Sequence, residues 1–459
     1  MMSDVLRRVD TIVVLMMESR SFDHVLGHLS LHGAPYEGFL DGLTGLPVDG
    51  VLTDTRYGNT CRGRIHQPFE MRDGVLPDGL SDDREAVKTA LGRTHSTNVH
   101  AMDGFVRAYY RSADAQRSQR PLPMAFMRAC DAPVTNFLAR NYAVCDRWFA
   151  PLPTGSIPNR LMATCGRSNI VDTPSSLLSH HSTVFDWMNQ RGLRYRVYHD
   201  GLSFFTLCPW MLDDVAGERF RDAGRLTQDF LRERDETFPQ LIFVEPSYFD
   251  GPVRSDKEAN DNRPPSSMAA GEKFLLSVYE ALTSNPERFE RTLFIVTYAS
   301  HGGFYDHVSP ARIRHDAHPE ASYASFETTG IRVPAIVVSP HVERGTVFHG
   351  TLDHTSILQL VAERFDPGRP YSEPVAARAV QGIGSVSSVL NRAAPRTEIP
   401  VPPAVPARSR RHHAHTKSTP SMAQDAFYLA ARALCDHSPS RVARTYPVFW
   451  REFAGADLM

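Results

Sequence analysis

The chain is most informative first through what it lacks. In 459 residues there are six cysteines, scattered at Cys61, Cys130, Cys145, Cys165, Cys208 and Cys435 with no CxxC pair, so neither a zinc knuckle nor a dithiol redox motif is suggested. Free thiols in a cytoplasmic protein are the simplest reading. No apolar run approaches roughly the 18 residues that a membrane-spanning helix needs. The formal net charge is only -2, which gives no bulk attraction to nucleic acid or to an anionic membrane. Neither a Walker A loop nor a G-x-S-x-G elbow is present. The N-terminal stretch "MMSDVLRRVDTIVVLMMESRSFDH" has basic residues before an apolar segment, yet that segment runs straight into charged residues without a small-residue cleavage site. It reads as a first core strand.

What is present is an ordinary globular composition, 42% apolar and 22% charged with Gly 29 and Pro 33. Continuous apolar runs such as "VDTIVVLMM", "YAVCDRWFA", "PQLIFVE", "RTLFIVTYA" and "IRVPAIVVSP" suit strands buried on both faces. Helical candidates, among them "GEKFLLSVYEALTSN" and "HTSILQLVAERF", lie between them. The alternation predicts an α/β fold with a mostly parallel central sheet. Sites in such sheets form at the carboxyl ends of strands, which is where Glu18, Glu245 and His301 fall.

Residues 30–130 break this rhythm and read as a cap or insertion on a principal domain spanning 1–395. The Pro-, Arg- and His-rich segment 396–421 reads as an exposed linker, with His412, His413 and His415 a solvated basic run rather than a metal site. A helical segment, 422–459, completes the chain.

Four stretches carry chemistry-bearing residues. In "LPTGSIPNRLMATCG", Ser156 falls at a helix start, where free N–H groups and the helix dipole favour an anion; the plain alternative is an N-cap. Glu18 follows the first strand directly, as an acid/base or ligand would, or as a solvated loop residue would. Asp353 and His354 precede a helix, so Asp353 is either a cap or a functional carboxylate. The turn in "LFIVTYASHGGFYDHV" presents His301 beside two glycines.

In order, "VVLMMESRSFDHVLGHL", "MDGFV", "PTGSIPNRL", "TVFDWMNQRGLRYRVYHD", "VEPSYFD", "RPPSSMAAGEKFL", "HGGFYDHV", "RVPAIVVSP" and "DHTSILQLVAERF" resemble the phosphoesterase family of bacterial phospholipases C and acid phosphatases, within the alkaline-phosphatase-like superfamily. The resemblance implies a three-layer α/β/α sandwich and a hydroxyl nucleophile that takes the phosphoryl group. It also implies a metal held by that nucleophile and acidic residues, with histidines supporting the oxyanions and leaving group. By position the nucleophile is Ser156, the first acidic residue Glu18, and the histidine before "MDGFV" His95. Asn159 of "PNR" is assigned to substrate binding.

Three departures stand out. The family's Asn after the first glutamate is Ser19. Its Asp-Glu before His-Gly-Gly is Ala299-Ser300, and its His-Pro-Pro begins with Arg263. Divalent cations need several hard oxygen ligands, so the expectation is no bound metal and no cofactor. Arg263, with Ser19 and Ser300, would contact the substrate instead, since a guanidinium grips anions and keeps its charge. Two enzymatic readings follow. One is a phosphoesterase with an altered shell, acting on a small or lipid-like ester. The other is a metal-independent esterase or acyl transferase in which His301 or His354 activates Ser156. A non-catalytic family member is the third.

Overall fold

A computed structural model describes residues 4–71, 80–92, 99–111, 121–252, 258–264, 268–315, 325–405, 421–447 and 450–451. Its centre is an eight-stranded sheet. In chain order the strands are β1 (Thr11–Met17), β2 (Ala143–Cys145), β3 (Tyr195–His199), β4 (Phe220–Asp222), β5 (Leu241–Glu245), β6 (Thr292–Tyr298), β7 (Ala335–Val338) and β8 (Thr346–Phe348). Across the sheet they run β8-β2-β7-β6-β1-β5-β3-β4. Only β7 is antiparallel to its neighbours. The expected mostly parallel α/β sheet is therefore what forms.

The central strands explain themselves. In β1 every residue of "TIVVLMM" is buried, as is every residue of "TLFIVTY" in β6. Runs without alternation satisfy two covered faces at once. Helices Pro133–Asn141, Ser156–Cys165, Met268–Thr283 and Thr355–Phe365 contribute the apolar residues that cover those faces.

Within residues 30–130, a short hairpin (Asn59–Cys61 with Arg64–His66) and helices Arg84–Leu91 and Phe105–Tyr109 share a second apolar cluster. That cluster includes Leu52, Val87, Leu91, Met102 and Phe105, together with Tyr305 from the turn after β6. The helix Met422–His437 begins with a Ser421 capping box, and its Phe427 ring lies 5.7 Å from Tyr248. His95, His412, His413 and His415 lie outside the described residues. None of the described helices is long and apolar enough to cross a membrane. All six cysteines are free.

Candidate active site

Adjacent parallel strands end together, and here their ends are stitched by backbone hydrogen bonds. The N–H groups of Glu18, Arg20 and Ala299 donate to the carbonyls of Asp261, Ser300 and Met17, at 2.8, 3.0 and 2.9 Å. Ser19 adopts the left-handed conformation (φ 60). Its carbonyl oxygen lies 2.2 Å from where a Cβ on Gly302 would stand, so the turn after β6 closes over it only with glycine there. This packing brings Glu18, Asp261 and Ser300 to one edge of the sheet.

Ser156 opens its helix with Gly155 as the N-cap, and no side chain caps that end. Pro158 in the first turn removes no intrahelical bond, because those N–H groups have no partner within the helix. Gly166, left-handed, closes the other end by donating to the Met162 carbonyl. The Ser156 Oγ lies 2.9 Å from Ser300 Oγ. Ser300 Oγ in turn donates to Asp82 Oδ2 at 2.5 Å. One helical turn beyond Ser156, Arg160 donates to Glu18 Oε1 at 2.7 Å and to the Met16 carbonyl at 2.8 Å. That bond ties the Ser156 helix to the end of β1. Ser156, Glu18 and Ser300 are all buried.

Arg263 pairs with Asp250. Burial alone would lower its pKa, but the charges of Asp250, Asp82, Glu18 and Asp261 outweigh that effect and hold it fully cationic. Burial and the Glu18 charge push Asp261 up to about 7, against the backbone N–H groups of Phe249 and Arg263 that its two oxygens accept.

Several expected site residues are placed elsewhere in role. The Asn159 side chain accepts from Leu152 N–H and donates to the carbonyls of Leu152, Thr154 and Gly155. Its amide shapes the loop in front of Ser156, with its N–H groups committed to backbone carbonyls. Asp353 is held by Arg378 and accepts both the N–H and the hydroxyl of Thr355, so its oxygens anchor that helix. His354 accepts from Trp148 Nε1 at 3.0 Å and donates to the Ala299 carbonyl at 3.0 Å. With both ring nitrogens committed it is a strut and not a base, and burial lowers its pKa to about 4. His301 sits edge-on to Phe105 at 6.2 Å. Burial lowers its pKa to about 3, and among the described residues no carboxylate offsets this or orients the ring as the acid of a triad would.

The site residues that sequence reading missed are Asp82, Arg160 and Asp261. Arg160 lies within a motif block and Asp261 just before one, and that placement was the available signal. Asp82, in "LSDDRE", looks like part of a helix cap. Its neighbour Asp83 is indeed that cap, accepting from Ala86 N–H.

The resemblance implies a metal at this site, and the donors present there are mostly committed. Glu18 Oε1 is taken by Arg160, and its Oε2 is buried with no partner among the described residues. Both Asp261 oxygens accept backbone N–H groups, Asp82 holds a hydroxyl, Ala299 offers nothing, and the Arg263 cation sits among them. Among the described residues, three metal-capable groups converge only at Asp23, Asp306 and His307, and Arg332 already neutralises that cluster. One orphan oxygen beside a fixed guanidinium does not fit a resident divalent cation.

The chain is similar to several known proteins. The chain is 27% identical over 416 residues to non-specific phospholipase C3 of Arabidopsis thaliana, covering 86% of this chain and 75% of that protein. It is 30% identical over 380 residues to non-specific phospholipase C1 of the same plant, covering 78% and 67%. Phospholipase C B of Mycobacterium tuberculosis (strain ATCC 25618 / H37Rv) is 28% identical over 437 residues, covering 84% and 78%. Among solved structures, an alkaline phosphatase superfamily protein from Vibrio parahaemolyticus aligns at 11% identity with a TM-score of 0.32, covering 51% of this chain and 60% of that one. The Phosphoesterase family pattern matches residues 9–367, and the chain belongs to that family.

Proposed function

We propose that the protein hydrolyses a phosphate ester by transferring the phosphoryl group to Ser156, with fixed cationic and dipolar groups serving where relatives of this kind would use a metal. Membership of the Phosphoesterase family and the similarity to proteins named phospholipase C support ester-bond hydrolysis on a lipid-like substrate. The observation that carries the nucleophile is the Ser156 hydroxyl, at a helix N-terminus, hydrogen-bonded to Ser300.

The charges fit an anion in transit. Phosphoryl transfer spreads negative charge over the equatorial oxygens, and catalysis consists mostly of positioning and electrostatic stabilisation. The Arg263 guanidinium and the free N–H groups at the Ser156 helix start supply that stabilisation. Glu18 serves through Arg160, fixing the helix register so that Ser156 faces the Ser300 turn. Phosphoryl transfer is favoured over acyl transfer, because His354 is committed at both nitrogens and, among the described residues, His301 has no orienting carboxylate.

Ser156→Ala should abolish turnover of bis-p-nitrophenyl phosphate, by about 10³-fold or more, with an unchanged melting temperature. Retained turnover would show that another group attacks.

A further inference from the structure

We infer that Ser300 and Asp82 form a proton relay for Ser156, with Asp82 as the terminal proton acceptor. This rests on Ser156 being the nucleophile, and it names the group that removes its proton.

The direction of the hydrogen bonds follows from counting protons. Ser300 has one hydroxyl proton, and it is given to Asp82 Oδ2. Ser300 therefore meets Ser156 as an acceptor, and the 2.9 Å contact is a donation from Ser156. The Ser156 lone pairs are left free for attack. A hydroxyl that donates into a chain ending on a carboxylate is the arrangement by which a weak oxygen nucleophile is activated. Ser300 has no exposed surface, and the partly exposed Asp82 has its carboxylate against Gly155, where an added Cβ would stand 3.1 Å from Oδ1. Leu80 and Ser81 pack onto Gly303 in the same way, with distances of 2.6 and 2.9 Å from its would-be Cβ. The segment 80–83 is thus pressed onto the turn that carries Ser300. Burial raises the Asp82 carboxyl above its usual range, and the Glu18 charge adds to this while Arg263 and the Ser300 hydroxyl oppose it. A raised carboxyl is a stronger base.

The step balances as follows. The Ser156 O–H bond breaks as its oxygen bonds to phosphorus. The proton passes to Ser300 Oγ while the Ser300 proton passes to Asp82. The P–O bond to the departing alcohol breaks with its electron pair, and that oxygen takes a proton from water. The hydroxide left from that water then bonds to the phosphorus of the phosphoserine, the P–O bond to Ser156 breaks with its electron pair, and the Ser156 oxygen recovers its proton from Asp82 through Ser300.

The test uses the full chain with bis-p-nitrophenyl phosphate. Asp82→Asn and Ser300→Ala should each lower kcat by about 10²–10⁴-fold with KM within about twofold, and the double variant should be little worse than either alone, since groups acting as a unit are not additive. Formate should restore part of kcat to Asp82→Ala and none to Ser300→Ala. Melting temperatures report folding, and the isosteric Asp82→Asn serves if Asp82→Ala fails to fold. The inference is overturned if Asp82→Asn or Ser300→Ala keeps kcat within about threefold, or if the losses add and formate restores nothing. Should Ser156→Ala remain active, the nucleophile assignment itself falls. Should it be inactive while both relay variants turn over normally, the relay alone falls.

Discussion

Single residues at this site separate into those that react and those that hold a shape, and residue type does not tell them apart. Asn159 and His354 were legible as functional candidates because they are polar and sit in motif blocks. The partners of Asn159, three carbonyls and an N–H, lie four to seven residues before it, and only the shape of that loop assigns them. Those of His354, an indole and a carbonyl, lie 206 and 55 residues away, and no local pattern encodes that. Asn159→Ala would leave a buried N–H and carbonyls unpaired, at a cost on the order of 2–4 kcal/mol. The expected signature is a lower urea midpoint with any activity loss in kcat, while a selective rise in KM at unchanged stability would reinstate the substrate-binding reading. Ser156 and Glu18 were legible for the opposite reason: their significance lies in position, at a helix start and a strand end, and position can be read from the sequence. Asp82 was not, because an Asp-Asp pair before a helix is already explained by capping.

At the scale of elements, the sheet was readable because strands buried on both faces must be apolar throughout, as β1 and β6 are. The turn after β6 was readable only as a glycine pair. Its reason is the approach of the Ser19 carbonyl to Gly302, whose φ of 62 is itself unfavourable for an L side chain. Gly302→Ala should therefore destabilise the protein by roughly 2 kcal/mol or more and displace Ser300 from Ser156. Equal stability and turnover in that variant would show that the two strand ends have slack. The short strands and helices between residues 30 and 130 had no such signal, because each is only a few residues long and gains its burial from Tyr305 and Ile331 elsewhere in the chain.

Across the whole molecule, a buried ion cluster joins the start, the middle and the later part of the sequence. Arg332, fully buried, donates to Asp23 and Asp306, and His307 bonds to Asp23 at 2.7 Å and to Asp41 at 3.2 Å. Burial alone would lower the His307 pKa, but the charge and hydrogen bond of Asp23 and the bond to Asp41 raise it to about 9. The folded state then holds a proton that the unfolded chain releases near its ordinary value of about 6.5. This stabilisation is complete below that value and is lost as pH rises through about 9. Urea unfolding from pH 6.5 to 9.5 should show stability falling, and His307→Gln should flatten that fall. An equal slope in both proteins would mean that His307 is not charged in the fold.

The central claim is that Ser156 takes the phosphoryl group without a bound cation. The most direct measurement is acid-quench mass spectrometry of the EDTA-treated protein during turnover of bis-p-nitrophenyl phosphate. The account predicts a phosphoryl adduct on the peptide carrying Ser156, formed at the same rate before and after EDTA. An adduct on another residue, or one that disappears with EDTA and returns with a divalent cation, would contradict it.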